Sequence, residues 1–246
     1  MSNSYKNISK FYERLIVDDD YNKWINYATS ILKSNVNGEV GVDLACGTGI
    51  FTRALKKAGF DVMGIDISQE MLAVAVKQNI ENKLNIEYLK QDIKNLKLFN
   101  KVDFITIFND GINYLKPNEL SKAFSSFKKS LNSGGFLLFD FSSEYKLKNV
   151  LANNMFGDNS EDLSYIWFNS FNGEQNSVQM DLTFFENKNG SYIRCDDTQT
   201  QYVHTLDGVI NALKNANFDV VSITDNKGNQ ISNSTERIVI LAKLSK

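Results

Sequence analysis

The chain has 246 residues, with 27 Lys plus Arg against 29 Asp plus Glu and a formal net charge of −2. That length suits one large α/β domain, or such a domain with an insertion, and excludes two domains of ordinary size. The charge balance lacks the general basic footprint of a nucleic-acid binder, and no apolar run of membrane or signal type is present, so the expectation is a cytoplasmic protein without membrane segments.

In chain order, the first 20 residues begin polar, carry Tyr5, Phe11 and Tyr12, and end in Asp18-Asp19-Asp20. Tyr21, Trp24, Ile25, Ala28, Ile31 and Leu32 then recur at three- and four-residue spacing, which predicts an amphipathic helix covering a sheet. Val40, Val42 and Leu44 alternate with Gly41, Asp43 and Ala45 as a short buried strand does. Cys46-Gly47-Thr48-Gly49 breaks that pattern before a helix over residues 50 to 58. Two glycines two apart free the backbone and bare it to a ligand, while the following helix turns its unpaired N–H groups and positive dipole end toward that ligand. The turn is a cradle for something polar or anionic. A dinucleotide fingerprint would place a third glycine where Thr52 stands, and the carboxylate of Asp43 suits an ammonium or another cation and repels a pyrophosphate.

DVMGID predicts a second strand over residues 61 to 66, whose terminal Asp66 is placed to accept hydrogen bonds from vicinal ribose hydroxyls. Ser68 caps a helix to about residue 78, with Met71, Leu72 and Ala75 on its buried side. IEYLKQ leads as a third strand to Asp92, and VDFITIFND forms a fourth over residues 102 to 110, ending in Asn109 and Asp110. Apolar strands separated by helices predict a parallel sheet covered on both faces, with ligands at the carboxyl ends, where Asp43, Asp66, Asp92 and Asp110 all fall. Pro117 opens a helix to about residue 131, and FLLFDF is strand five. Thr205 caps a helix through residue 216, and DVVSITD and ERIVILAKL pair across the NKGN turn. Residues 158 to 204 break the alternation: LSYIWFNSF, SVQMDLTFFEN and SYIRCDDTQTQYVH predict three antiparallel strands joined by tight turns. Met180, Leu182 and Phe184 alternate there with Gln179, Asp181 and Thr183, giving one packed and one wet face.

D-x-A-C-G-T-G at residues 43 to 49, G-x-D at 64 to 66 and Q-D-I at 91 to 93 each close a predicted strand. Over about residues 40 to 145 this set resembles the class I S-adenosylmethionine-dependent methyltransferases, with Ala45 standing where many members carry glycine. The resemblance implies an α/β fold: a Rossmann-like seven-stranded methyltransferase sheet with a small antiparallel β insertion. Residues 1–157 and 205–246 would form the cofactor-binding domain, and residues 158–204 a lid similar in position to that of methyltransferases acting on amino sugars, glycine and other small metabolites. Dimerisation or simple stabilisation is the alternative role for the insertion. The resemblance further implies S-adenosyl-L-methionine as cofactor, with Asp43, Gly47 and Gly49 around its methionine part, Asp66 on the ribose, and Asp92 with Ile93 beside the adenine. Ala45, Cys46, Ile67, Met71, Gln91 and Asn109 complete the expected contacts. FYERLIVDDDYNKWINY resembles the segment that folds over the cofactor in small-molecule members, which adds Tyr12, Tyr21 and Trp24.

Methyl transfer from a sulfonium is an in-line displacement, so the protein positions and desolvates the partners and removes at most one proton. Aromatic walls favour the sulfonium cation. Asp110, Asn113, Tyr114 and His204, the sole histidine, are the candidates on the acceptor side. The two cysteines, Cys46 and Cys195, show neither a pairing framework nor a metal spacing, so Cys46 is read as packing and no metal is expected. The expected reaction moves a methyl group to a nitrogen or oxygen of a small molecule, with no nucleic acid or membrane partner, in a monomer or homodimer. Methylation of RNA is disfavoured by the charge balance and by NDGINYL standing where a base-flipping N/D-P-P-Y/F motif would follow strand four. A nicotinamide-dependent oxidoreductase would share the sheet and the ribose acid, but Asp43 and the missing third glycine argue against it. A non-catalytic cofactor-binding partner subunit would share every cofactor residue.

Overall fold

The apolar strands pair into one seven-stranded sheet in the computed structural model, which describes residues 8–16 and 18–245. β1 (Val40–Leu44) lies between β2 (Asp61–Asp66) and β4 (Val102–Ile107), with β3 (Tyr88–Lys90) beyond β2 and β5 (Leu131–Ser142) beyond β4, all parallel. β11 (Arg237–Leu244) runs antiparallel to β5, and β10 (Phe218–Asp225) antiparallel to β11, so the final hairpin closes one edge of the sheet. The expected α/β class and parallel core are those observed.

Helices cover both faces because the strands are apolar on both. α2 (Asp19–Asn35) and α3 (Ile50–Lys57) pack Trp24, Ala28, Leu32, Phe51 and Leu55 against Val62, Phe104, Leu138 and Leu241. On the opposite face α5 (Leu120–Ser130) and α6 (Leu206–Asn215) set Phe124, Phe127, Val209 and Leu213 against Ile105, Leu137, Phe139 and Ile240. Successive residues of β5 thus alternate between two cores, as a strand period of two demands. The caps follow local chemistry: the Asp18 carboxylate accepts the Tyr21 N–H at 2.7 Å to start α2, and the Ser68 hydroxyl accepts the Met71 N–H at 3.2 Å to start α4 (Gln69–Glu81).

Some expectations needed correction. The fourth strand ends at Ile107 rather than residue 110, because Asn109 and Asp110 both turn left-handed, at φ 56° and 63°. The helix expected from Pro117 begins with one 3-10 turn, Pro117–Glu119, and ends at Ser130. The antiparallel insertion has four strands rather than three: β6 (Met155–Asn159), β7 (Leu163–Asn172), β8 (Ser177–Lys188) and β9 (Ser191–Tyr202), paired in that order. The MFGDN segment of β6 has no β-branched residue, and its pairing with β7 makes the strand. A π-helical segment, Lys146–Leu151, precedes it and packs Leu147, Val150 and Leu151 on one side. Tyr5 lies outside the described residues. Phe11 and Ile8 lead into α1 (Tyr12–Ile16) and pack between Met71 of α4 and Leu163 and Phe184 of the second sheet, so this segment joins the two sheets.

Gly41 shows how tightly the centre is filled. It pairs with Phe104 across β1 and β4, and a Cβ on Gly41 would lie 2.1 Å from the Phe104 ring. Gly41→Ala is expected to cost about 1–3 kcal/mol in urea unfolding, and Gly41→Ala with Phe104→Leu to cost less than the sum of the two single changes. Strict additivity would refute the steric coupling.

Candidate active site

The glycine turn links β1 to α3 through three left-handed residues, Ala45 at φ 50°, Gly47 at 55° and Gly49 at 79°. Ala45 therefore carries the mild strain that a glycine would relieve. At Gly49 no other residue fits, since a Cβ would lie 2.5 Å from the Tyr88 hydroxyl; at Gly47 a Cβ would meet nothing within 4 Å, which makes that position the open side of the cradle. Cys46 is half-buried and its thiol is pushed up by desolvation, consistent with packing.

Two acids fix this turn from within. Asp43 is only 1% exposed, and its carboxylate accepts from the Thr52 hydroxyl at 2.6 Å and the Thr106 hydroxyl at 2.8 Å. Burial pushes it up to about 7 against those hydrogen bonds. It ties β1 to α3 and β4 instead of opening toward a ligand's ammonium group. Asp66 accepts the Gly47 N–H at 2.8 Å on one oxygen and the Ser68 N–H at 2.8 Å on the other. The Ile67 N–H also contributes, and the carboxylate keeps acceptor capacity for a hydroxyl donor. Burial raises this carboxyl as well, with the amide hydrogen bonds opposing. Beside it Ile67 is 58% exposed, an apolar platform at the rim.

The neighbouring residues divide. Asp92 caps a 3-10 turn through the Lys94 N–H at 2.9 Å and stays partly exposed at the rim. Ile93 packs into the core, Met71 packs under Ile8 and Phe11, and Gln91 folds back on the Lys97 backbone, its amide donating to the carbonyl at 3.2 Å and accepting the N–H at 3.1 Å. Trp24 is enclosed by Phe51 and Phe108, which stack with centroids 4.0 Å apart, so it supports the turn from below the rim. Tyr21 packs edge-on against Phe51, and its hydroxyl accepts from the Asn109 amide. Tyr12 is half-buried with its hydroxyl in the field of Tyr21, Tyr114, Asp110 and Arg237, and desolvation pushes it well above its ordinary value.

The turn after β4 carries a buried charge cluster. Arg237 places Nη1 2.9 Å from Asp110 Oδ1, donates Nη2 to Asp110 Oδ2 at 3.4 Å, and also donates to Asp140. Lys146 Nζ approaches Asp110 to 4.0 Å. Burial raises Asp110, but Arg237 and Lys146 outweigh it and hold the carboxyl below its usual range. Asp140 is fully buried; desolvation, with Asp110 adding, pushes it up to about 6 while Arg237 opposes. Two acids and two bases thus balance at the rim.

The remaining acceptor-side candidates separate in the same way. Tyr114 donates to Gln199 Oε1 of β9 at 2.7 Å and faces the second sheet. Asn113 is buried and binds the Ser142 and Tyr202 carbonyls, each at 3.1 Å, and the Ser142 N–H at 2.9 Å, so its amide is a structural cross-link. His204 is 3% exposed, with Nε2 donating to the Ile112 carbonyl at 3.1 Å, and burial pushes its pKa below the ordinary value. It braces the turn from behind. Sequence reasoning missed Asp140, Arg237, Lys146 and Gln199, together with Arg53, which donates to the Thr48 carbonyl at 2.6 Å and to Glu13 at 2.8 Å. A lone acid within FLLFDF and a lone base heading IVILAKL were the available signal. Among the described residues, no group of three or more His, Cys, Asp or Glu could hold a metal ion, and no helix is long and apolar enough to cross a membrane.

The chain is similar to known proteins. Residues 42–135 match the model of a methyltransferase domain. A protein of Geobacillus sp. (strain WCH70) named as a methyltransferase is 33% identical over 98% of this chain and 99% of its own. An S-adenosylmethionine-dependent methyltransferase from Clostridium acetobutylicum ATCC 824 superposes with a TM-score of 0.88 at 31% identity, covering 97% of each chain. CalS10 from Micromonospora echinaspora, an amino pentose methyltransferase solved with S-adenosylmethionine bound, shares the fold at a TM-score of 0.76 and 16% identity, with 100% of each chain covered. The chain belongs to the class I S-adenosylmethionine-dependent methyltransferases. The open face at Gly47, the remaining acceptor capacity of Asp66 and the exposed Ile67 fit that cofactor.

Asp66→Ala is expected to weaken S-adenosylmethionine binding about tenfold or more in calorimetry, as loss of charged hydrogen bonds does; an unchanged affinity would remove Asp66 from the ribose. His204→Ala is expected to cost about 1–3 kcal/mol of stability by orphaning the Ile112 carbonyl while leaving cofactor affinity intact. A variant with full stability and impaired binding would reverse that assignment.

Proposed function

We propose that this enzyme methylates a nitrogen or oxygen of a small polar molecule in the cytoplasm, with nitrogen favoured. The observation that carries the proposal is the gathering of polar groups where the β4 turn meets the second sheet: Asp110 is 9% exposed, and Tyr114 bonds to Gln199 of β9. Such groups suit a small hydroxylated or amino compound. Two structural neighbours, the amino pentose methyltransferase CalS10 and the sugar N-methyltransferase KedS8, point in the same direction.

S-adenosylmethionine, when bound, supplies an electrophilic methyl group on a sulfonium. In this reading the Gly47 to Gly49 backbone and Asp66 hold the cofactor, while Tyr12 and Tyr21 exclude water and face the cation. Asp110 accepts a hydrogen bond from the nucleophile and holds it in line. With Arg237 keeping its proton affinity low, Asp110 orients and is a poor base. A neutral amine needs no strong base to attack, whereas an alcohol does, and this favours nitrogen. Residues 1–157 and 205–246 act as the cofactor domain, and the insertion at 158–204, with β6 extending it to residue 155, acts as the lid over the acceptor.

Purified protein should bind S-adenosylmethionine and not NAD in calorimetry. With a panel of amino sugars, small amines and matching alcohols, it should release S-adenosylhomocysteine with an amine acceptor. Turnover on structured RNA alone would overturn the proposal.

A further inference from the structure

Asn109 and Asp110 are successive non-glycine residues in the left-handed region, a conformation that persists only when the surroundings impose it. What imposes it lies on a different strand. The Asp140 carboxylate of β5 accepts the Asn109 N–H at 2.7 Å on Oδ1 and the Asp110 N–H at 3.2 Å on Oδ2. Consecutive backbone N–H groups in such a turn form a concavity for an anion, and here the anion is a side chain of the same protein. Arg237, two residues from the cross-strand partner of Asp140, binds that carboxylate and also engages Asp110. The wound turn sends the Asn109 side chain to the Tyr21 hydroxyl and sets Asp110 in front of Lys146.

We propose that Asp140 is a positioning residue for methyl transfer, its carboxylate being the fixed anion around which the β4 turn is wound so that Asn109 and Asp110 face the reacting partners. It touches neither cofactor nor acceptor in this role, and the role rests on the function proposed above. Asparagine at 140 would present an amide N–H either to the Asn109 N–H or to the donors at Oδ2, so one of these contacts becomes donor against donor. The groups facing Asp140 are Arg237 from β11, Asp110 and Tyr21 across the turn, and Lys146 from the π-helical segment. Burial places its titration near 6, so the nest loses its anion as pH falls through that value.

The test uses the full chain, labelled with 15N, and S-adenosylhomocysteine as probe. In the wild type the Asn109 and Asp110 amide resonances should shift together with a midpoint near pH 6, and probe affinity should fall over the same range. Asp140→Asn should abolish that shared titration and weaken the probe about tenfold at neutral pH, with Asp140→Glu recovering part of the loss. Asp43 titrates near 7 in both proteins, so the difference between their pH profiles isolates Asp140. Probe binding by Asp140→Asn within about threefold of wild type, with the same pH profile, would overturn the proposal. Should Asp140→Asn fail to fold, the wild-type titration decides alone, and amides that do not move together overturn it. A wild type that binds no probe would condemn the function proposed above, while the amides would still report on the nest.

Discussion

A carboxylate taken out of water must find donors, and this chain uses that requirement to shape its active-site rim. Asp43, Asp66 and Asp140 are all buried at or near strand ends, and each has both oxygens engaged by the protein's own N–H, O–H or guanidinium groups. Leaving any of them unpaired would cost several kcal/mol, so the segments supplying the donors are drawn to the acids. Asp66 draws in the glycine turn and the start of α4. Asp43 holds α3 and β4 against β1. Asp140 winds the β4 turn. The parallel sheet brings the three to one edge, because every parallel strand delivers its last residues to the same side.

The arrangement has an electrostatic cost that explains its internal balance. Burial raises Asp43 from 3.8 to about 7, so the native state binds this proton more tightly than the unfolded chain does. A group raised in this direction stabilises fully below the unfolded value, and that contribution is lost as pH rises through the folded one. Asp140 follows the same sign, with its loss centred near 6. Asp110 goes the other way, because Arg237 and Lys146 lie beside it. Its contribution is present above the unfolded value and is lost as pH falls through the lower folded one. Opposite signs within one cluster keep Asp110 ionised at neutral pH, as an orienting acceptor of hydrogen bonds must be.

The legible part of this molecule was local. Strand, glycine turn and helix at residues 40 to 58, the Ser68 and Thr205 caps and the apolar β4 follow from side-chain period and capping chemistry within a few residues of each other. The partnership of Asp140 with Arg237 was not legible, since it spans 97 positions and depends on the antiparallel register of β5 and β11. β6 was missed because it shows no period, and Lys146–Leu151 because its apolar spacing at Leu147, Val150 and Leu151 spans little more than one turn. For His204 the residue type left a proton-transfer role and a structural one both open; its ring bonds to the Ile112 carbonyl, a partner set only by how β9 approaches the turn.

The same distinction explains why the N-terminal segment matters more than its short helix suggests. Nothing in Tyr12–Ile16 would hold a five-residue helix alone. Three ties to three different parts of the fold hold the helix and its flanks. Glu13 meets Arg53, whose other arm holds the Thr48 carbonyl of the glycine turn. Phe11 packs on Phe184 of the second sheet with ring centroids 5.9 Å apart. Tyr21 closes on Asn109, and so on the turn that Asp140 winds. The glycine turn, the β4 turn and the inserted sheet therefore all contact residues 11 to 21.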